Sequence, residues 1–192
     1  MGWWCRPRAH SCRARCPGVL HTRWRYDLDR PAARQGREMS VRDLIMAAAG
    51  SPAYRYWRLF IVNNAGATDY VAINEIELRE TVGSGDMTSP STPVSTSTNF
   101  TGYPGSMTVS NDLSDGNLWI SATGSLTNQW LTYIFAAPVV VREIAIFPQR
   151  QAPSRSPGNF RLEGCNDGVS FAQVAAFSAL TGWGSEWRTF SF

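Results

Sequence analysis

The chain has 192 residues and a formal net charge of +3, and all 18 of its basic residues are arginine. A chain of this length holds one domain of ordinary size plus extensions, and 12% aromatic against 17% charged residues suits an all-β sandwich better than a helical bundle. The charge is uneven: residues 1–38 carry nine Arg against three acids, net +6, and residues 39–192 carry nine Arg against twelve acids, net −3. The alkaline pI therefore belongs to the leading segment and is no sign of a nucleic-acid-binding domain.

Residues 1–38 show neither helical nor strand periodicity. Cys5, His10, Cys12, Cys16 and His21 offer zinc-type ligands, but their spacing matches no standard paired arrangement. Nine arginines with Trp3, Trp4 and Trp24 could grip a nucleic acid or an anionic surface. The reading carried forward is a disordered basic extension, or a reading frame started too early, since Met39 offers a good alternative start. Arg6, Arg8, Arg13 and Arg15 interrupt any apolar core of a signal peptide. No run approaches the roughly 18 apolar residues of a membrane helix, so no membrane insertion is expected.

Residues 39–52 read as a short capped helix and a linker. Ser40 and Asp43 form a capping box, Gly50 ends the helix, and Pro52 blocks its continuation, which predicts a helix over 41–49. The globular part then spans 53–192. In residues 54–62 Trp57, Leu59 and Ile61 alternate with Tyr56, Arg58 and Phe60, the pattern of a half-buried strand. Residues 70–79 form the next strand, with Ile76 and Leu78 inward and Glu75, Glu77 and Arg79 on a solvated face. A catalytic carboxylate pair at Glu75 and Glu77 is the less favoured reading. Residues 83–106 are rich in Ser, Thr, Gly and Pro and read as a loop over the sandwich with one irregular strand. In 108–119, Asn111, Asp112, Asp115 and Asn117 supply the hard oxygen donors that calcium selects; the alternative is an Asx-rich turn satisfying its own backbone.

Four apolar runs between Gln129 and Phe177 read as antiparallel strands, the second including Val140, Ile144 and Ile146 on one face. Phe160 and Leu162 alternate with Arg161 and Glu163, and Asn166-Asp167-Gly168 follows as a tight reversal. Trp183, between two glycines, is expected in a loop with an exposed indole. Trp187-Arg188-Thr189-Phe190 belongs to a last strand.

In that order, Tyr56-Trp57-Arg58-Leu59, Asn74-Glu75-Ile76, Ser114-Asp115-Gly116-Asn117 with Trp119, Gln129-Trp130-Leu131, Arg142-Glu143-Ile144, Phe160 to Gly168 with Phe171, and Trp187 to Phe190 resemble the discoidin, or coagulation factor 5/8 type C, domain of the galactose-binding-like superfamily. The likeness covers about residues 54–192, and its opening and ending look most like copies in bacteriophage tail and virion proteins. It implies an antiparallel jelly-roll β-sandwich, a virion or extracellular location, and loops at one end that bind glycans. It also implies a structural calcium beside the Asp-Gly loop, involving Asp115 and neighbouring backbone oxygens, to which the composition of the segment adds Asp112 and Asn117 as candidate ligands. Relatives add a carboxylate near the C-terminus, where Glu186 is the last acid of this chain.

An enzyme is not expected: both histidines lie outside the globular part, so no Ser-His or Cys-His nucleophile can be assembled within it. The expected function is non-catalytic recognition of a glycan or cell-surface polysaccharide. The candidate contacts are Asn63, Asn64, Gln149, Arg150, Arg155 and Trp183, since planar amide and guanidinium groups pair with hydroxyls and an indole stacks on C–H faces. The alternative is a structural accessory domain that binds other virion or tail proteins.

Overall fold

The computed structural model describes residues 52–192. The basic extension, its cysteines and histidines, and the helix expected over 41–49 lie outside the described residues.

The fold starts from the opening strand. β1 (Ala53–Asn64) buries Trp57, Leu59 and Ile61 completely, as its alternation requires. It pairs along its length with two neighbours, β5 (Thr127–Val140) and β7 (Pro157–Cys165). β3 (Val94–Thr96) extends the sheet beyond β5, and β8 (Ala172–Phe177) beyond β7. The result is a five-stranded sheet in the order β3-β5-β1-β7-β8. The second sheet has the order β4-β2-β6-β9, built from β2 (Ala72–Arg79), β4 (Trp119–Ile120), β6 (Glu143–Pro148) and β9 (Arg188–Ser191). All pairings are antiparallel. The inward side chains of both sheets, among them Trp57, Leu59, Ile76, Leu78, Ile144 and Leu162, form one core. Each contributes about 1.5–3 kcal/mol by burial.

Two local expectations change. The apolar run around 139–147 is two strands rather than one: β5 ends in the first sheet at Val140 and β6 begins in the second at Glu143. Val141 and Arg142 carry the chain across, with the Arg142 N–H donating to the Arg79 carbonyl at 2.9 Å. The reversal after β7 is wider than a two-residue turn, because the Asp167 carboxylate accepts from the Val169 and Ser170 amides at 2.9 and 2.8 Å. Gly168 then takes a φ of +76°. Cys165 points away from the core yet is buried, and that burial pushes its thiol pKa up. The 83–106 region contributes β3 as its one strand, followed by a 3-10 turn at Gly105–Val109.

Register places four connections at one pole. The end of β1 meets the start of β7 (Asn64 opposite Pro157), and the start of β2 meets the end of β6 (Ile73 opposite Pro148). Segments 65–71, 121–126, 149–156 and 178–187 join these strand ends.

Candidate functional site

At this pole Asn64 closes β1 by folding the chain around its own amide. Its Nδ2 donates to the Ala67 and Tyr70 carbonyls at 2.9 and 2.8 Å, and its Oδ1 accepts from the Gly66 N–H at 3.1 Å. Gly158 packs so tightly against the Asn64 carbonyl that a Cβ there would collide with it. Asn159 Oδ1 accepts from the Ala179 N–H at 2.7 Å, and the Leu180 N–H donates to the Gly158 carbonyl at 2.9 Å. These bonds hold open a cavity of about 290 Å³ bounded by Asn63, Gly66, Asn159, Leu180 and Thr181. Asn63 spends its Nδ2 on the Asn64 carbonyl at 3.0 Å, whereas its Oδ1 is buried without a hydrogen-bond partner. A buried acceptor left open costs on the order of 1–3 kcal/mol, so it marks a place where a donor is wanted.

Thr181 is also a wall of a second cavity, of about 270 Å³, with Trp183, Glu186, Trp187 and Arg188. Trp183 differs from the exposed indole expected of it. It is 9% exposed, its Nε1–H donates to the Pro157 carbonyl at 3.0 Å, and its ring packs against Phe190. The cause is geometric: the loop before β9 folds back over the sandwich end, where the indole completes the core. The Arg188 guanidinium lies 5.0 Å from the Trp183 ring centroid and donates to the Thr181 carbonyl at 3.0 Å. Half-buried Trp187 meets Phe147 edge-on.

The remaining glycan candidates line neither cavity. Arg155 is an internal clamp. Its Nε donates to Asp69 Oδ1 at 3.0 Å, its Nη2 pairs with Asp69 Oδ2, and its Nη1 donates to Gln149 Oε1 at 3.1 Å. It also lies 5.1 Å over the Tyr70 ring, and its hydrogen bond holds the Asp69 carboxyl below its ordinary pKa. Arg150 donates to the Leu113 carbonyl at 2.8 Å and rests 5.0 Å over Phe147. The structure therefore joins Asn63 and Asn64 at one cavity and Trp183 at its neighbour, and assigns Gln149, Arg150 and Arg155 to loop bracing. Asn159, Leu180 and Thr181 were not singled out in the sequence, and Glu186, Trp187 and Arg188 were read there only as the last acid and the last strand. The turn residues of Ser156-Pro157-Gly158-Asn159 were the available signal for the first of them.

The cation candidates sit on the 105–117 segment, which packs against β2. Asp112 spends its carboxylate on the Ser114 N–H and hydroxyl, at 2.9 and 3.1 Å. Asp115 accepts from Gln151 Nε2 at 3.1 Å. Asn117 turns its Nδ2 to the Met107 and Asp112 carbonyls and to Ser110 Oγ. Asp115 is thus bonded by Gln151 of the 149–156 segment, and Asp112 and Asn117 are satisfied within their own loop. The unsatisfied oxygens lie beneath it, on β2. Register shifts between Ile73 and Glu75, inserting Asn74 as an extra residue, so Asn74 and Glu75 both reach this segment. Asn74 Nδ2 donates to the Ser114 carbonyl at 2.9 Å, and Glu75 Oε2 lies 3.1 Å from Ser110 Oγ.

Glu75 is 1% exposed, contrary to the solvated face expected, and its Oε1 and Asn74 Oδ1 are both buried without partners. Ser110 has one hydroxyl proton, and the Met107 carbonyl at 3.0 Å competes for it. Oxygen acceptors thus outnumber protons, and burial pushes Glu75 up to about pH 7. Among the described residues no three His, Cys, Asp or Glu side chains are grouped to hold a metal. Glu75 Oε1 and Asn74 Oδ1 are the open oxygens beside this segment, of the hard donor type that calcium selects.

Comparison with protein-family models, curated proteins and solved structures returned no match for this chain. The class defined by the described residues is an antiparallel two-sheet β-sandwich. No helix among them is long and apolar enough to cross a membrane.

Proposed function

We propose that the chain is a non-catalytic carbohydrate-binding module, a jelly-roll of the galactose-binding-like kind, carried on a phage tail or virion surface. The observation that carries the binding role is the pair of adjoining cavities around Thr181, one bounded by Asn63 and Asn159 and the other by Trp183, Glu186, Trp187 and Arg188. A sugar lies with its C–H face against Trp187, the partly exposed ring of the second cavity, and its hydroxyls pair with the polar groups of the cavity walls. Calcium belongs to the same reading as a structural ion. Glu75 and Asn74 would hold it with carbonyls of the 105–117 segment, and when bound it supplies the positive charge that the buried carboxylate lacks.

The test is a glycan array probed with the full chain and with Thr181→Trp, whose indole fills the shared wall of both cavities. Wild type binds a defined set of glycans, and the variant loses that binding at an unchanged melting temperature. Undiminished binding of neutral glycans by the variant refutes the site. A blank array with tight binding to a tail or capsid protein refutes the glycan and leaves the accessory structural role.

A further inference from the structure

The face of the five-stranded sheet turned away from the core carries a separate constellation. On β1 and β7, Arg58 stands opposite Glu163 and Phe60 opposite Arg161. Glu163 is 4% exposed although it lies on the outer side of the sheet. It is roofed by the two arginines: Arg58 Nε donates to its Oε2 at 2.6 Å, and Arg161 Nε pairs with its Oε1. Each guanidinium also covers an aromatic ring, Arg58 at 3.7 Å from the Phe171 centroid and Arg161 at 3.8 Å from that of Phe60. Trp130 is the cross-strand neighbour of Phe60 on β5 and is half-buried.

Covering an aromatic sheet face from water explains one guanidinium per ring. It does not explain two for a single carboxylate. Residues 52–192 carry eight Arg against eleven acids, yet this patch is left with one positive charge in excess. The bonds to Glu163 use Nε and Nη2 of Arg58 and Nε of Arg161. Arg58 Nη1 and both Nη atoms of Arg161 have no acceptor among the described residues, and the two side chains remain 22% and 33% exposed. Rings below and the carboxylate between them hold both forks still, so little rotamer freedom remains to be lost when an anion arrives. A planar, pre-set fork suits a carboxylate, and an adjacent indole suits a pyranose C–H face.

We infer that this face binds an acidic polysaccharide, with a uronate carboxylate received by the outer edges of Arg161 and Arg58 and a neighbouring sugar ring lying over Trp130. This is a second binding surface, independent of the polar cavities.

The test is calorimetry of the full chain with tetramers of galacturonate and of glucuronate, and with their methyl esters. Arg161→Gln is the variant of choice, because Arg58 still pairs with Glu163 and the fold is kept; thermal melting verifies this. Wild type binds at least one acidic tetramer, the ester binds about tenfold more weakly or not at all, and Arg161→Gln loses about tenfold in affinity. Arg161→Lys, which keeps the charge without the fork, falls between the two. Thr181→Trp binds as wild type does. Equal binding of ester and acid, undiminished binding by Arg161→Gln, equal binding of a poly-glutamate peptide, or no binding of either acidic tetramer by wild type overturns the proposal.

Discussion

Glu75 carries the sharpest chemical tension of any single residue described. Its pKa is pushed up to about 7 first by loss of solvent, with the Asp86 charge adding to this, against the smaller lowering by the Ser110 hydroxyl and the Asn111 N–H. A carboxyl with a folded pKa above its unfolded value of 4.5 favours folding most below about pH 4.5. That contribution declines as pH rises and is lost above about pH 7, a loss of roughly 3 kcal/mol. Glu75→Gln is therefore expected to be more stable than wild type at pH 8 in EDTA, and no different at pH 4, in urea melts. At pH 8 millimolar calcium should raise the wild-type melting temperature and leave Glu75→Gln unmoved. A wild-type protein indifferent to both calcium and EDTA would remove the ion from the account. The sequence showed the alternation of this strand but not its fate, because Asn74 and Glu75 are both polar. Asn74, inserted as the extra residue between Ile73 and Glu75, leaves no mark in a hydrophobic pattern.

Among the elements, β1 is the one on which the others are laid. It is paired on both sides and buries three large side chains, and its strict period of two made it plain in the sequence. Leu59→Ala removes a fully buried side chain and should cost about 2–5 kcal/mol in denaturant unfolding. Val62→Ala, on the same strand but 38% exposed, should change stability by less than about 0.5 kcal/mol. Similar losses at the two positions would mean that this strand is not the sandwich centre. The crossing between sheets at Val141 and Arg142 was hidden for a different reason. A period of two reports which side of a strand is buried and is silent about which sheet the strand joins, so two strands in succession read as one.

For the molecule as a whole, the sequence was enough for an all-β sandwich, and Asn63, Asn64 and Trp183, singled out in it, lie at one pole where they line cavities. It was silent about the partners of the arginines. Arg155 and Arg150 looked idle in a Pro/Ser-rich loop because their partners, Asp69 and Leu113, lie 86 and 37 residues away in the chain. Only folding shows that they are already engaged. Arg58, Arg161 and Glu163 were visible as alternating outward positions, but two cations sharing one buried carboxylate is a fact of strand register. The central claim is that the pole around Thr181 is where this module takes a sugar. The most direct measurement is a backbone amide NMR titration of the full chain with a glycan selected from the array. Saturable shifts confined to Asn63, Asn159 and residues 180–188 are predicted; shifts elsewhere with those amides unmoved would contradict the account.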